Sequence, residues 1–181
     1  MAVSALLVSI PEAEGIVGRW RSSYDPSASR GLPAHVTVLY PFVEPAAIDE
    51  ALRSSLRGLF ESLAPFRVVF DHLGRFPGPV LYLAPLDPEP FVNLTSTVQR
   101  AFPAHPPYEG RYSEVVAHLT VVDGADEATV DAVSRALTPS LPVPARVDEV
   151  VLMAGDSSAR SWRVLEVFAL GRRSETPVND R

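Results

Sequence analysis

The chain has 181 residues, 46% of them hydrophobic and 21% charged, a globular composition with room for one substantial core. It contains no cysteine, which excludes disulfides and thiolate chemistry, and no lysine, since all 16 basic residues are arginine, which excludes Schiff bases and a P-loop lysine. A formal charge of −6 argues against wrapping a long nucleic-acid tract, which requires many phosphates to be neutralised, and leaves a small anionic substrate or the tip of an RNA open.

The apolar run at the N-terminus is short, has no basic residue before it and meets Glu12 and Glu14 at once. It predicts a first strand, Ser4 to Ile10, and not a signal or membrane-spanning segment, so a cytoplasmic protein is expected. Pro11 opens a helix to about Tyr24, and the Pro-, Ser- and Gly-bearing segment 25–31 forms a loop into the strand Ala34–Tyr40, which Pro41 ends. Apolar residues at Ile48, Leu52, Leu56, Leu59, Phe60 and Leu63 make a helical stripe within 47–63. Residues 66–76 and 80–86 read as two strands joined by the turn Pro77–Pro79, and a helix runs from Glu89 to Phe102. After a polar, proline-broken loop from 103 to about 113, the strand VVAHLTVVDG begins at Val115. A helix at Glu127–Leu137, strands at 146–153 and 162–170, and a charged, frayed tail at 171–181 complete the chain.

Two of these strands carry the chemistry. Strand residues alternate faces at about 3.3 Å per residue, so His35 and Thr37 point the same way, roughly 6 to 7 Å apart, while Val36 and Val38 point the other. The pattern returns at His118 and Thr120, with Leu119 and Val121 opposite. One such pair means little, because strands favour threonine and a wet face accepts histidine. Two copies in similar settings mean more. From His35 to Val80 is 45 residues and from His118 to Trp162 is 44, with a helix, a strand and a turn between, which predicts two similar halves whose pseudo-twofold brings the polar faces together.

A phosphodiester is cleaved without metal when a base takes the proton of the attacking oxygen and an acid protonates the leaving oxygen on the far side of phosphorus. Two imidazoles, with unperturbed pKa near 6.5, suit that division. Two threonine hydroxyls beside them suit the non-bridging oxygens, where charge accumulates. His72 and His105 lack the hydroxyl companion and are assigned to packing or surface, and no metal-ligand spacing occurs, so no metal or other cofactor is expected.

On the motifs AHVTVLYPF and VAHLTVVDG, with RFPGPVLYLAP between them, the chain resembles the 2H phosphoesterase superfamily, within the group called the 2′-5′ RNA ligase family or RNA 2′,3′-cyclic phosphodiesterases. The resemblance covers nearly the whole chain. It implies an α+β fold, a single bilobal domain over 1–170 with antiparallel sheets forming a concave cleft and helices outside, metal-independent catalysis, and His35, Thr37, His118 and Thr120 as the catalytic set. The chain departs from the family pattern in two ways: Val-Ala stands before the second histidine where many relatives have proline, and Val-Val-Asp-Gly follows where a basic residue would hold phosphate. Arg75, with Arg111 and Arg160, is therefore a candidate for that role, and Tyr40, Phe42 and Tyr82 are candidates to stack on a base or line the cleft mouth. The expected function is hydrolysis of a 2′,3′-cyclic phosphate or 2′-5′ phosphodiester of a nucleotide or RNA end, by a monomer with no membrane partner. Which histidine is base stays open. A non-catalytic nucleotide- or RNA-end-binding module, and the same chemistry on a small cyclic-phosphate metabolite, are the alternatives.

Overall fold

The computed structural model describes residues 2–111 and 116–171. Strand β1 (Val3–Ser9) leads to helix α1 (Pro11–Tyr24), which Pro11 opens and which carries Glu12 and Glu14 in its first turn and Arg21 in its last, complementing the helix dipole. Asp25 ends α1 and caps the helical turn α2 (Pro26–Ser29), accepting a hydrogen bond from the Ser27 amide. Strand β2 (His35–Leu39) follows, then α3 (Glu50–Glu61), capped by Asp49, the hairpin β3 (Phe66–Phe76) and β4 (Val80–Pro85), and α4 (Glu89–Ala101). The chain then runs through β5 (Leu119–Asp123), α5 (Glu127–Leu137), capped by Asp126, β6 (Val143–Val147), β7 (Glu149–Gly155) and β8 (Arg163–Ala169).

The strands form two antiparallel four-stranded sheets, ordered β2-β1-β7-β8 and β5-β4-β3-β6. Helices cover one face of each, and the arrangement is reciprocal. Helix α1 joins β1 to β2 in the first sheet yet packs on β5 and β6 of the second, while α4 joins β4 to β5 in the second and packs on β2 of the first. With α3 on β8 and α5 on β4, each sheet is covered by one helix of its own and one lent by the other, and one apolar core runs through both halves.

Two expectations are corrected. The stretch 146–153 is not one strand: β6 pairs with β3 in the second sheet, and β7, beyond Asp148, pairs with β1 in the first. The pseudo-twofold relates β1-α1-β2-α3 to β4-α4-β5-α5, so the partner of β4 is β1, which lies beside β2 as β4 lies beside β5. Strand β8 is an edge strand, and its matching offset from His118 reflects similar segment lengths, not equivalence. Val115, where the second motif strand was expected to begin, and the tail from 172 onward lie outside the described residues. No helix among the described residues is long and apolar enough to cross a membrane.

Candidate active site

β2 and β5 are the facing edge strands of the two sheets and pack against one another, with Val36, Thr37 and Ala117 lining a common crevice. On each strand the motif is anchored alike. His35 Nδ1 lies 2.7 Å from the Pro33 carbonyl oxygen, and His118 Nδ1 lies 2.7 Å from that of Val116. A carbonyl only accepts, so in both rings Nδ1 carries the proton and Nε2 is left for a ligand. Both rings are half-buried.

Each motif strand is also bulged just past its threonine. Thr37 pairs with Leu7 but Leu39 with Leu6, and Thr120 pairs with Tyr82 but Val122 with Leu81. The extra residue sends two consecutive side chains into the core, Val38 and Leu39 in one strand and Val121 and Val122 in the other. The next residue, Tyr40 or Asp123, therefore returns to the face of the histidine and threonine. Tyr40, 37% exposed, accordingly meets the Trp162 ring at 6.3 Å between centroids.

Burial weakens the cationic form of both imidazoles. His35 is pushed down to about 4, first by desolvation, with the Pro33 carbonyl opposing, Arg21 and His118 lowering it further and Asp25 raising it. His118 is lowered by desolvation against the raising effect of the Val116 carbonyl.

Beneath His35 lies a buried polar cluster that the sequence did not reveal. Arg21 is 2% exposed and Asp25 5%. The Arg21 guanidinium donates to Asp25 Oδ2 from Nε at 3.0 Å, and from Nη2 to Ser27 Oγ at 3.1 Å and to the Leu32 carbonyl at 3.3 Å. Glu14, 3.6 Å from Arg21, accepts the Ala34 amide at 2.5 Å. The peptide groups on both sides of Pro33, whose carbonyl orients His35, are thus tied to α1. Asp25 lies four residues after Arg21 in sequence, the spacing of a helical ion pair, but nothing in that spacing shows the pair to be buried.

Of the residues expected to touch substrate, Tyr82 lies beside His118: Phe76 is 4.4 Å from Tyr82 and 4.8 Å from the His118 ring, and Tyr82 is 5.5 Å from His118. Gly74 makes this possible, because a Cβ there would sit 2.3 Å from Tyr82 Cζ. Gly155, on the equivalent strand of the other sheet, makes the same room for Trp162, where a Cβ would come 2.6 Å from Cγ. Phe42 and Arg75 are corrections. Phe42 is 5% exposed and packs on Phe102 and His105, because the chain beyond β2 has turned into the core. Arg75 projects from the helix-covered face of β3, opposite Gly74 and Tyr82, and pairs with Asp131 at 2.6 Å and Glu127 at 3.5 Å on α5. Arg111 pairs with Glu109 at 2.6 Å, and Arg160 is exposed in a turn. His72 is exposed beside Asp71. Among the described residues, no three His, Cys, Asp or Glu side chains are grouped to hold a metal ion.

Beside His118 a pocket of about 580 Å³ is lined by Phe76, Val80, Tyr108, Val116 and Asp123. Asp123, Phe76 and Trp162 were not anticipated as cleft residues, and the bulge that brings Asp123 to the face of His118 has only the doublets Val38-Leu39 and Val121-Val122 as its sequence trace.

A family model described as the 2′-5′ RNA ligase superfamily matches residues 9–159. Comparison with curated proteins finds no match. Among solved structures, Escherichia coli LigT in apo form superposes with a TM-score of 0.60 at 20% identity, over 94% of this chain and 98% of that one. LigT complexed with 3′-AMP gives 0.56 at 16% identity with the same coverage. TT0787 of Thermus thermophilus gives 0.58 at 19%, over 94% and 99%.

Proposed function

The chain belongs to the 2′-5′ RNA ligase superfamily, and from that premise we propose that it is a metal-independent phosphodiesterase acting on a 2′,3′-cyclic phosphate or 2′-5′ phosphodiester of a nucleotide or RNA end. The observation that carries the reading is the duplicated anchoring: two imidazoles on facing edge strands, each with Nδ1 held by the carbonyl two residues back, each with a threonine hydroxyl on the same face. The Nε2 atoms are the working nitrogens. A neutral ring takes a proton from water as its oxygen bonds to phosphorus, and the protonated partner ring gives its proton to the leaving ribose oxygen as the P–O bond breaks. Thr37 and Thr120 donate to the non-bridging oxygens as their charge grows. The bound phosphate anion raises both imidazole pKa values, so that one ring takes up from solvent the proton it later gives to the leaving oxygen.

The crystallised complexes of LigT with 3′-AMP, ATP, NADP+ and phosphate support a nucleotide-sized ligand. The placement of Arg75 in ion pairs on the face opposite Tyr82, with the −6 charge, favours a small substrate or an RNA end over a long tract. It equally suits a small cyclic-phosphate metabolite. The deciding experiment is turnover of a panel of 2′,3′-cyclic nucleotides, 2′-5′ dinucleotides and ADP-ribose cyclic phosphate by His35→Ala, His118→Ala and His72→Ala. The first two lose activity and the third keeps it. Equal retention in all three removes the catalytic assignment, and tight binding of nucleoside 2′-phosphates with no turnover by the wild type makes the protein a binding module.

A further inference from the structure

The two ends of the cleft differ chemically although the backbone repeats. Residue for residue after the bulge, Tyr40, just past β2, corresponds to Asp123, the last residue of β5, so at this position the first sheet presents an aromatic ring packed near Trp162 and the second a carboxylate. Asp123 pairs in register with Val80, and Val80 with Phe76, so the three share a face, and together they border the pocket of about 580 Å³ against the His118 ring. That volume is in the range of ligand sites. A carboxylate here cannot serve the phosphate, which it repels; it accepts hydrogen bonds and nothing else. It therefore suits a group with hydrogen-bond donors and an apolar body to lie along Phe76 and Val80, and a nucleobase with N–H donors combines the two.

We propose that this pocket seats a guanine-type base, the Asp123 carboxylate accepting the adjacent ring N–H and 2-amino protons while the ribose reaches back to the phosphate between the histidines. Of the four RNA bases, guanine alone places two donors side by side to match the two oxygens of a carboxylate; adenine, cytosine and uracil offer a single donor site on the corresponding edge. The inference deepens the phosphodiesterase reading and rests on it: the substrate class becomes a guanosine 2′,3′-cyclic phosphate or an RNA end terminating in one. Asp123 is exposed at the end of its strand, so substitution there leaves the core untouched.

The test separates binding from turnover. Calorimetric titration with the 2′-monophosphates of guanosine, adenosine, cytidine and uridine should show wild type binding the guanosine form about tenfold or more tightly than the others, the scale of a paired hydrogen bond to a charged group. In Asp123→Ala and Asp123→Asn, with melting temperature and circular dichroism checked against wild type, the four affinities should converge to within about threefold. The same ratios should appear in kcat/KM for the four 2′,3′-cyclic nucleotides. Equal affinities in the wild type, or a guanosine preference that survives both substitutions, overturns the proposal whatever the turnover. Guanosine-selective binding without hydrolysis of any cyclic substrate leaves it standing and sinks the phosphodiesterase reading instead.

Discussion

Replacing Arg21 by methionine withdraws a guanidinium from a site where Asp25 is 5% exposed and keeps only the Ser27 amide at 2.8 Å and the Ser27 hydroxyl at 2.7 Å. Breaking one side of a buried ion pair strands the other charge, at a cost of about 3–5 kcal/mol. In a chain of this length each kcal/mol lowers the melting temperature by about 2–4 °C, so a fall of roughly 6–20 °C is expected in thermal melts at pH 7, with a matching loss in urea titrations. The double variant Arg21→Met/Asp25→Asn removes the stranded charge while asparagine still caps α2, and it should recover most of the loss. A second readout isolates the effect on the site. Arg21 lowers the His35 pKa and Asp25 raises it, so Arg21→Met should move the His35 titration upward in an NMR experiment and Asp25→Asn should move it downward. A stability change below about 1 kcal/mol for Arg21→Met, the value of an exposed pair, refutes the buried-clamp reasoning. Shifts of His35 in the same direction for both variants refute the electrostatic coupling.

Three further outcomes are expected. His35 is held near 4 in the folded chain against 6.5 unfolded, so between those values the unfolded state binds the extra proton; stability should fall by about 3 kcal/mol as pH drops from 6.5 toward 4, and His35→Asn should lose that component when the two pH–stability curves are subtracted. With both imidazoles lowered, kcat/KM should follow a bell with its maximum below pH 6.5 and stay unchanged in EDTA; activity lost to chelator and restored by a divalent ion would contradict the mechanism. Gly74→Ala places a Cβ 2.3 Å from Tyr82 Cζ, so the ring, which packs against His118, must move, and kcat/KM should fall about tenfold or more while stability drops by about 1–3 kcal/mol; a fully active variant would show that Tyr82 can move without consequence.

Periodicity and punctuation carry most of the local structure. Pro11 and the stripe from Ile48 to Leu63 locate helices because capping and amphipathicity act within a few residues, and both the Phe66–Phe76 strand and the Glu127–Leu137 helix are legible for that reason. The alternation His-x-Thr likewise discloses which side chains share a face, so the histidine-threonine pairs were visible before any fold. Even the strand break at Asp148 leaves a trace: Val143–Val147 alternates as a strand with one buried face, whereas Glu149–Gly155 is apolar at every interior position, as a strand covered on both faces must be.

Other features depend on groups distant in sequence and could be decided only in three dimensions. Whether an arginine is a solvated surface charge, as at Arg111, a pair on the helix-covered face, as at Arg75, or a buried clamp, as at Arg21, depends on which strand and helix close over it. The bulges that return Tyr40 and Asp123 to the cleft exist because β1 and β4 supply one residue fewer than their partners. The identity and order of side chains along each strand are local and periodic, and the chain itself dictates them. Desolvation of the imidazoles, the lowering of His35 by His118 and the chemical asymmetry of the cleft are sums over neighbours from both halves, which exist only once the two sheets have exchanged helices and closed.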